Sequence, residues 1–280
     1  MVSLRDEELW VAGCVQTALR SVAVGQHDDN TTPNVHDLDL SVGGGRTFGA
    51  MEVTAAADAD LIECWKLLNG HGNRWIAPGI AGGWAVSVQP TARVKRLIKE
   101  LFLLLQALER AGLDSLPRRS ASWGQLTVTA QNLGVVRARQ GGTSFPGSIY
   151  VTPQISQERS SGWVAPTGDA LSEWMSEWII DPSRADNLTK LRRSAASERH
   201  LFVIAPGIES TAPFSVTDLL MRADAPLPTV APVLPDEVTH VWIMGPWVNG
   251  RGFRWSPDLG WETFANDAAL DHAALAGCTC

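Results

Sequence analysis

Apolar residues recur along the chain at two spacings, which predict interspersed helices and strands. Apolar positions three or four residues apart are typical of amphipathic helices and predict helices over residues 6–22, 55–69, 91–111, 169–180, 185–197 and 214–222. Short apolar runs bounded by turn residues predict strands over residues 84–89, 125–129, 133–139, 148–152, 199–204, 238–244 and 252–255, with a hairpin over 36–54. This mixture predicts an α/β (or α+β) fold in which helices flank a mixed central β-sheet.

The length and composition indicate an ordered protein with one large domain. The chain has 280 residues, of which 45% are hydrophobic and 19% are charged, so it can bury a substantial core. We predict a core over residues 1–222 with an insertion around residues 112–168. A Pro-rich arm, a terminal hairpin and a frayed tail over residues 223–280 are expected to pack on the same domain.

The predicted hairpin carries the most distinctive polar residues of the chain. Two β-rich runs flank the glycines at 43–45, which favour a reversal. Because side chains alternate between the faces of a strand, Asp37 and Asp39 share one face, as do Glu52 and Thr54 on the partner strand. A hairpin register could therefore place three carboxylates on one side of the sheet, an arrangement that suits Mg²⁺. Alternatively, these acids face water at the strand ends.

This pattern resembles the PD-(D/E)XK nuclease-like superfamily. Asp37 matches the first acid of the motif and Glu52 the second, on the next strand. Thr54 stands where the motif usually has Lys, and His36 where it has Pro. The resemblance covers the hairpin and its flanking helices. The predicted helix over residues 185–197 and the strand over 199–204 also resemble the closing helix and strand of the nuclease-like core. The overall layout is also similar to that of uncharacterised actinobacterial proteins, which implies no function.

The resemblance implies a PD-(D/E)XK-like core with large insertions and a magnesium-dependent phosphodiesterase, a nuclease-like hydrolase. Asp37 and Glu52 would hold the ion with help from Asp39, and Thr54 would occupy the catalytic lysine position. The loss of that lysine implies weakened or absent hydrolysis. Two further expectations are an acid from the first helix, Glu8, and a substitute lysine, Lys66, for which the alternative is a solvated side chain.

Two basic clusters are candidate nucleic-acid contacts. Arg96 and Lys99 lie in the first turns of the predicted helix over residues 91–111, where cations oppose the helix dipole. Lys190 and Arg193 form the second cluster. The alternative is a solvated helix face paired with Glu100. The formal net charge of −7 argues against a surface that binds nucleic acid everywhere.

The tryptophan content suggests a different class of function. The chain has 12 Trp residues and one Tyr. Several Trp residues adjoin Gly or Pro, where a rigid ring can close a loop against the core. The alternative function is a catalytically inactive binding or assembly protein that presents a Trp-rich surface to a protein partner.

Cysteine usage and hydropathy favour a cytoplasmic protein without a membrane partner. Cys14 and Cys64 lie on predicted helices and are expected to be small buried residues. Cys278 and Cys280 form a C-x-C pair that supplies too few ligands for a structural zinc site. We identify neither a signal peptide nor an apolar run long enough to span a membrane.

Overall fold

The computed structural model describes residues 4–28, 32–43, 45–70, 74–116, 124–141, 145–246 and 250–266. The chain forms two compact units. The main unit contains Met1–Ala57 and Gln157–Cys280, and the inserted unit is Asp58–Ser156. The predicted C-terminal tail, including Cys278 and Cys280, lies outside the described residues.

Helices and strands alternate through both units. The helices are α1 (Asp6–Ala18), α2 (Ala59–Asn69), α3 (Val94–Arg110), α4 (Gly124–Asn132), α5 (Gln157–Ser160), α6 (Asp169–Ile179), α7 (Ala185–Arg193) and α8 (Phe214–Met221). The strands are β1 (Ala23–Gln26), β2 (Leu38–Val42), β3 (Arg46–Ala55), β4 (Arg74–Ile76), β5 (Trp84–Val88), β6 (Ser115–Leu116), β7 (Val135–Gln140), β8 (Ser148–Pro153), β9 (Glu198–Ile204), β10 (His240–Met244), β11 (Gly250–Ser256) and β12 (Gly260–Asn266). None of the helices in the described ranges is long and apolar enough to cross a membrane.

The main unit is built on a mixed seven-stranded sheet in the order β1-β2-β3-β9-β10-β11-β12. Strands β1, β2 and β3 pair antiparallel, β3 pairs parallel with β9, and β9 pairs parallel with β10. The last three strands pair antiparallel. Helices and mixed pairing together confirm the α/β fold class.

Each face of this sheet carries its own hydrophobic core. On one face, residues of α1 pack with Leu38, Met51, Phe202 and Trp242. On the other face, residues of α6, α7 and α8 pack with Leu201. The alternation of side chains along β3 and β9 thus gives each strand two buried faces, as expected where helices cover both sides of a sheet.

The inserted unit has a five-stranded sheet in the order β4-β8-β5-β7-β6. Its core contains the apolar stripe of α3, which includes Leu97, Leu101 and Leu108. The helical spacing of this stripe explains the correct prediction of the helix. Gly112 ends the segment with φ +69°, a conformation that glycine adopts without strain.

Two predictions for this region are wrong. The insertion spans Asp58–Ser156 and not residues 112–168, because the strands that follow β3 pair with one another in a separate sheet. Residues 125–129, predicted as a strand, belong to helix α4. Tertiary packing of Ala130 in the core of the unit overrides the local β-propensity.

Candidate functional site

The predicted hairpin is present and its register brings Asp37 next to Glu52. Leu38 pairs with Met51 and Asp39 with Ala50, and the backbone N–H of Asp37 donates to the Met51 carbonyl at 3.1 Å. The turn uses Gly45 at φ +76°. The two-residue period of the strands therefore places the first and second motif acids side by side.

Asp37 is almost completely buried, at 1% exposure. Its Oδ2 accepts a hydrogen bond from the backbone N–H of Val53 at 2.7 Å. Its Oδ1 lies 3.5 Å from a guanidinium nitrogen of Arg5. Burial raises the pKa of Asp37 to about 6, against the opposing effect of the Val53 hydrogen bond. The carboxyl group can therefore exchange a proton near neutral pH.

Glu52 is 2% exposed and has two unequal carboxylate oxygens. Oε1 accepts a hydrogen bond from Nζ of Lys190 at 2.8 Å. Oε2 is buried and has no hydrogen-bond partner within the described part of the chain. Burial, followed by repulsion from Asp37, raises the pKa of Glu52 to about 9 and outweighs the attraction of Lys190. At neutral pH, Glu52 therefore holds a proton that a second cation would displace.

Lys190 comes from α7, and its side chain is 19% exposed. Burial alone lowers its pKa, but Glu52 and Asp37 raise it by more, so the ammonium group stays charged. We predicted Lys190 as a nucleic-acid contact, and in the structure its ammonium group donates to Glu52. Because 138 positions separate the two residues in sequence, sequence analysis could not identify the pair.

The first turn of α1 adds charge beside Asp37. Glu8 is 6% exposed, and its carboxylate accepts hydrogen bonds from the backbone and side chain of Arg5. Its negative charge contributes to the raised pKa of Asp37. Glu8, the predicted acid of the first helix, thus lies near Asp37. The guanidinium group of Arg5 contacts both carboxylates.

The position of the motif lysine is filled by a buried hydroxyl group. Thr54 is 2% exposed, and its Oγ1 has no hydrogen-bond partner among the described residues. Lys66, the substitute considered from sequence, is an exposed residue on α2 of the inserted unit. Within the main unit, the amine that reaches the motif carboxylates is that of Lys190.

Asp39 does not join Asp37 and Glu52, so the expectation of three converging carboxylates is wrong for this residue. Its two oxygens lie 3.0 Å from Nδ1 of His27 and 2.8 Å from Nε2 of His36. The two imidazole rings stack with centroids 3.9 Å apart. Partial exposure at the sheet surface lets Asp39 reach these histidines instead of the buried pair.

The Asp39 cluster has its own electrostatics. Burial raises the pKa of Asp39, but the hydrogen bonds from His36 and His27 lower it by more. Burial also lowers the pKa of His36. The three ligand atoms lie within 4.8 Å of one another and line a cavity of about 450 Å³. Imidazole and carboxylate ligands suit a transition metal better than Mg²⁺.

The predicted nucleic-acid contacts are divided between the two units. Arg96 and Lys99 are exposed on α3 of the inserted unit, where Arg96 pairs with Glu100 at 2.9 Å. Arg193 is exposed on α7 of the main unit. The two predicted clusters therefore belong to different units.

The described tryptophans mostly belong to the cores. The buried ones are Trp10, Trp84, Trp178, Trp242 and Trp261, and Trp163 is the one described Trp with high exposure, at 79%. This distribution agrees with the expectation that Trp rings close loops against the core. It gives no support to a Trp-rich surface among the described residues.

Comparisons of the chain with protein-family models, curated proteins and solved structures gave no match.

Proposed function

We propose that the main unit is a magnesium-dependent phosphodiesterase in which Asp37 and Glu52 hold the ion and Lys190 supplies the amine that position 54 lacks. The observation that carries this proposal is the state of Glu52. One of its oxygens binds Lys190, and the other is buried without a partner in the described ranges, next to Asp37. A buried carboxylate oxygen without a partner is costly and is relieved by a cation.

The order of elements supports the proposal. Helix α1 precedes three antiparallel strands, and the chain returns through α7 to β9, which lies parallel to β3. This order is the one expected from the resemblance of residues 185–204 to the closing helix and strand of the nuclease-like core. It also explains why Lys190, on the returning helix, reaches a carboxylate on β3.

The chain's own residues have distinct roles in this proposal. Val53 N–H fixes the Asp37 carboxylate, and Lys190 fixes that of Glu52. Lys190 is part-exposed, so its charge is available to an anionic phosphodiester at the edge of the buried pair. Asp37, with a pKa of about 6, is mostly ionised at neutral pH and can therefore bind the ion as a carboxylate. A bound magnesium ion would stabilise negative charge on the phosphoryl oxygens.

Magnesium titration by calorimetry tests the site directly. Because Glu52 is protonated at neutral pH, the wild-type protein should bind Mg²⁺ or Mn²⁺ with release of about one proton. That proton is measured by comparing heats in two buffers of different ionisation enthalpy. Asp37→Asn and Glu52→Gln should abolish binding, whereas Asp39→Asn, two residues further along the hairpin, should retain it. Circular dichroism checks that each variant is folded.

Hydrolysis of labelled oligonucleotides in the presence of Mg²⁺ tests the chemistry. Lys190→Met should lower the rate by about a hundredfold or more, since it removes a charged donor from the site. Arg193→Met, on the same helix but exposed, serves as the matched control. Absence of Mg²⁺ binding in the wild type, or binding that survives in both acid variants, would contradict the proposal.

A catalytically inactive binding protein is the second candidate. It is favoured by Thr54 at the motif lysine position and by the direct Lys190–Glu52 pair, which gives Glu52 a partner without a metal. In that case the carboxylates serve only the stability of the sheet, and calorimetry would detect no Mg²⁺ binding.

A further inference from the structure

Charge is distributed unevenly between the two units. Residues 58–156 carry eleven of the 23 Lys and Arg residues but only six of the 30 Asp and Glu residues. The inserted unit is therefore basic within an acidic chain. A local basic surface of this kind attracts polyanions even when the net charge of the protein is negative.

One face of the inserted sheet is open to solvent. The core of the unit takes the side chains of one face, including Trp84, Val86 and Ile149. The opposite face presents a row that crosses all five strands by register, formed by Arg74, Tyr150, Ala85, Arg139 and Ser115. The first four of these residues are exposed.

This open face is positively charged. Arg137 lies two residues from Arg139 on β7 and is also exposed. Neither guanidinium group has a hydrogen bond or ion pair to another described residue. The sequences of the five strands contain three arginines and no Asp or Glu. Arg137 and Arg139 can therefore bind an external anion. Arg74 donates from Nε to Ser148 Oγ at 2.8 Å and has further N–H donors on its guanidinium group.

Aromatic rings lie among these arginines. Phe145 is 63% exposed and Tyr150 is 49% exposed, and the Arg74 guanidinium lies 5.9 Å from the centroid of the Phe145 ring. With Arg139, these residues line a cavity of about 630 Å³. Exposed aromatic rings next to arginines offer stacking surfaces for bases beside contacts for phosphates.

We propose that the open face of the inserted sheet binds single-stranded nucleic acid. Phosphates contact Arg74, Arg137 and Arg139, and unpaired bases stack on Tyr150 and Phe145. A duplex buries the faces of its bases and cannot use these rings. The inference rests on the proposed function only in that both take a nucleic-acid ligand, and the binding step is independent of the metal.

Fluorescence anisotropy of the full chain tests this surface with a labelled oligo(dT). The titration uses EDTA and a strand of about 15 nucleotides, near the upper site size of comparable single-strand binders. Arg74→Ala with Arg139→Ala should weaken binding about tenfold or more, and Tyr150→Ala by about the same factor through lost stacking. Lys95→Ala with Arg110→Ala removes the same charge from exposed positions of α3 and should change affinity less than about threefold.

The salt dependence and a competitor sharpen the result. Raising NaCl from about 50 mM to about 200 mM should weaken wild-type binding steeply, and the double arginine variant should show a smaller slope. Unlabelled duplex DNA of equal length should compete poorly.

Three results would overturn the proposal: no binding by the wild type, equal losses in the sheet-face and α3 variants, or a preference for duplex. Asp37→Asn should lose Mg²⁺ binding but keep oligonucleotide binding. The two proposals can therefore fail separately.

Discussion

Asp37 and Asp39 are two residues apart at the start of the same hairpin, yet their environments are opposite. Asp37 is 1% exposed, and burial raises its pKa. The side chain of Asp39 is 31% exposed, and two histidines lower its pKa overall. Position relative to the sheet surface, rather than the residue type, decides whether a motif acid becomes a proton-holding site or an ordinary ion pair.

The negative charges at the Asp37–Glu52 site and at Asp39 are compensated in different ways. Near Asp37 and Glu52, the cations are Lys190 and an Arg5 that also binds Glu8. The site therefore carries an excess of negative charge unless Glu52 binds a proton. At Asp39, two imidazoles surround a single carboxylate. The first arrangement needs another cation at high pH, and the second does not. Each of the following predictions tests this contrast.

The largest expected effect is the loss of the lysine that compensates the buried pair. Lys190→Met should lower the free energy of unfolding by about 3 kcal/mol at pH 10, where Glu52 is ionised in the folded protein, because it leaves that buried carboxylate without its cation. Arg193→Met, on the exposed side of α7, should change it by less than about 0.5 kcal/mol. Urea denaturation measures both.

A double-mutant cycle shows whether this cost depends on Glu52. In the Glu52→Gln background, Lys190→Met should cost less than half as much, because the neutral amide needs no cation. Equal costs in the two backgrounds would mean that Lys190 acts through packing alone.

The next effect is the dependence of stability on pH. The pKa of Glu52 is about 9 in the folded protein and 4.5 for an ordinary glutamate, so the folded state binds a proton that the unfolded state has lost. Stability should therefore fall as pH rises between about 5 and 9, by about 1 kcal/mol per pH unit at most. Glu52→Gln should remove most of this fall and leave the weaker contribution of Asp37 below about pH 6.

Denaturation curves at several pH values measure the difference between wild type and Glu52→Gln. Parallel pH profiles for the two proteins would show that Glu52 is ionised in the folded state, contrary to the argument from its burial.

The smallest effect is expected at Asp39. Asp39→Asn should change stability by less than about 1 kcal/mol, because its ion pairs are part-exposed. The hydrogen bond from His36 to Asp39 raises the pKa of this histidine against the effect of burial, so the variant should lower it further. NMR titration of the imidazole signals measures this shift.

His200 provides an internal control for that titration. It binds Glu198 at 3.1 Å and Trp242, on the opposite face of the sheet from Glu52. Its titration should not change in Asp39→Asn. A pKa of His36 that rises in the variant would contradict the assigned hydrogen bond.

Much of the fold could be predicted because it depends on local periodicity. The two-residue period of the hairpin predicted that Asp37 and Glu52 share a face, and the stripe of α3 predicted that helix. The assignment of Asp39 failed because alternation determines the face of a strand but not the depth at which a side chain is buried.

The features that could not be predicted depend on contacts between residues that are far apart in sequence. Lys190 reaches Glu52 across 138 positions, and the row on the inserted sheet joins Arg74 to Arg139 through three strand pairings. Single-sequence patterns do not specify which strands pair. The boundary of the insertion at Asp58 was missed for the same reason. Helix α2 follows β3 directly, and its sequence does not show that it packs in the core of the inserted unit.

The place of the insertion in the chain has an evolutionary consequence. Strand β3 ends at Ala55 before the inserted unit begins, and the unit ends before α5, so its coding segment interrupts none of the seven strands of the main sheet. Mutation and selection can therefore remodel the arginine-bearing segment as one genetic block while the register between the hairpin and β9 is inherited unchanged.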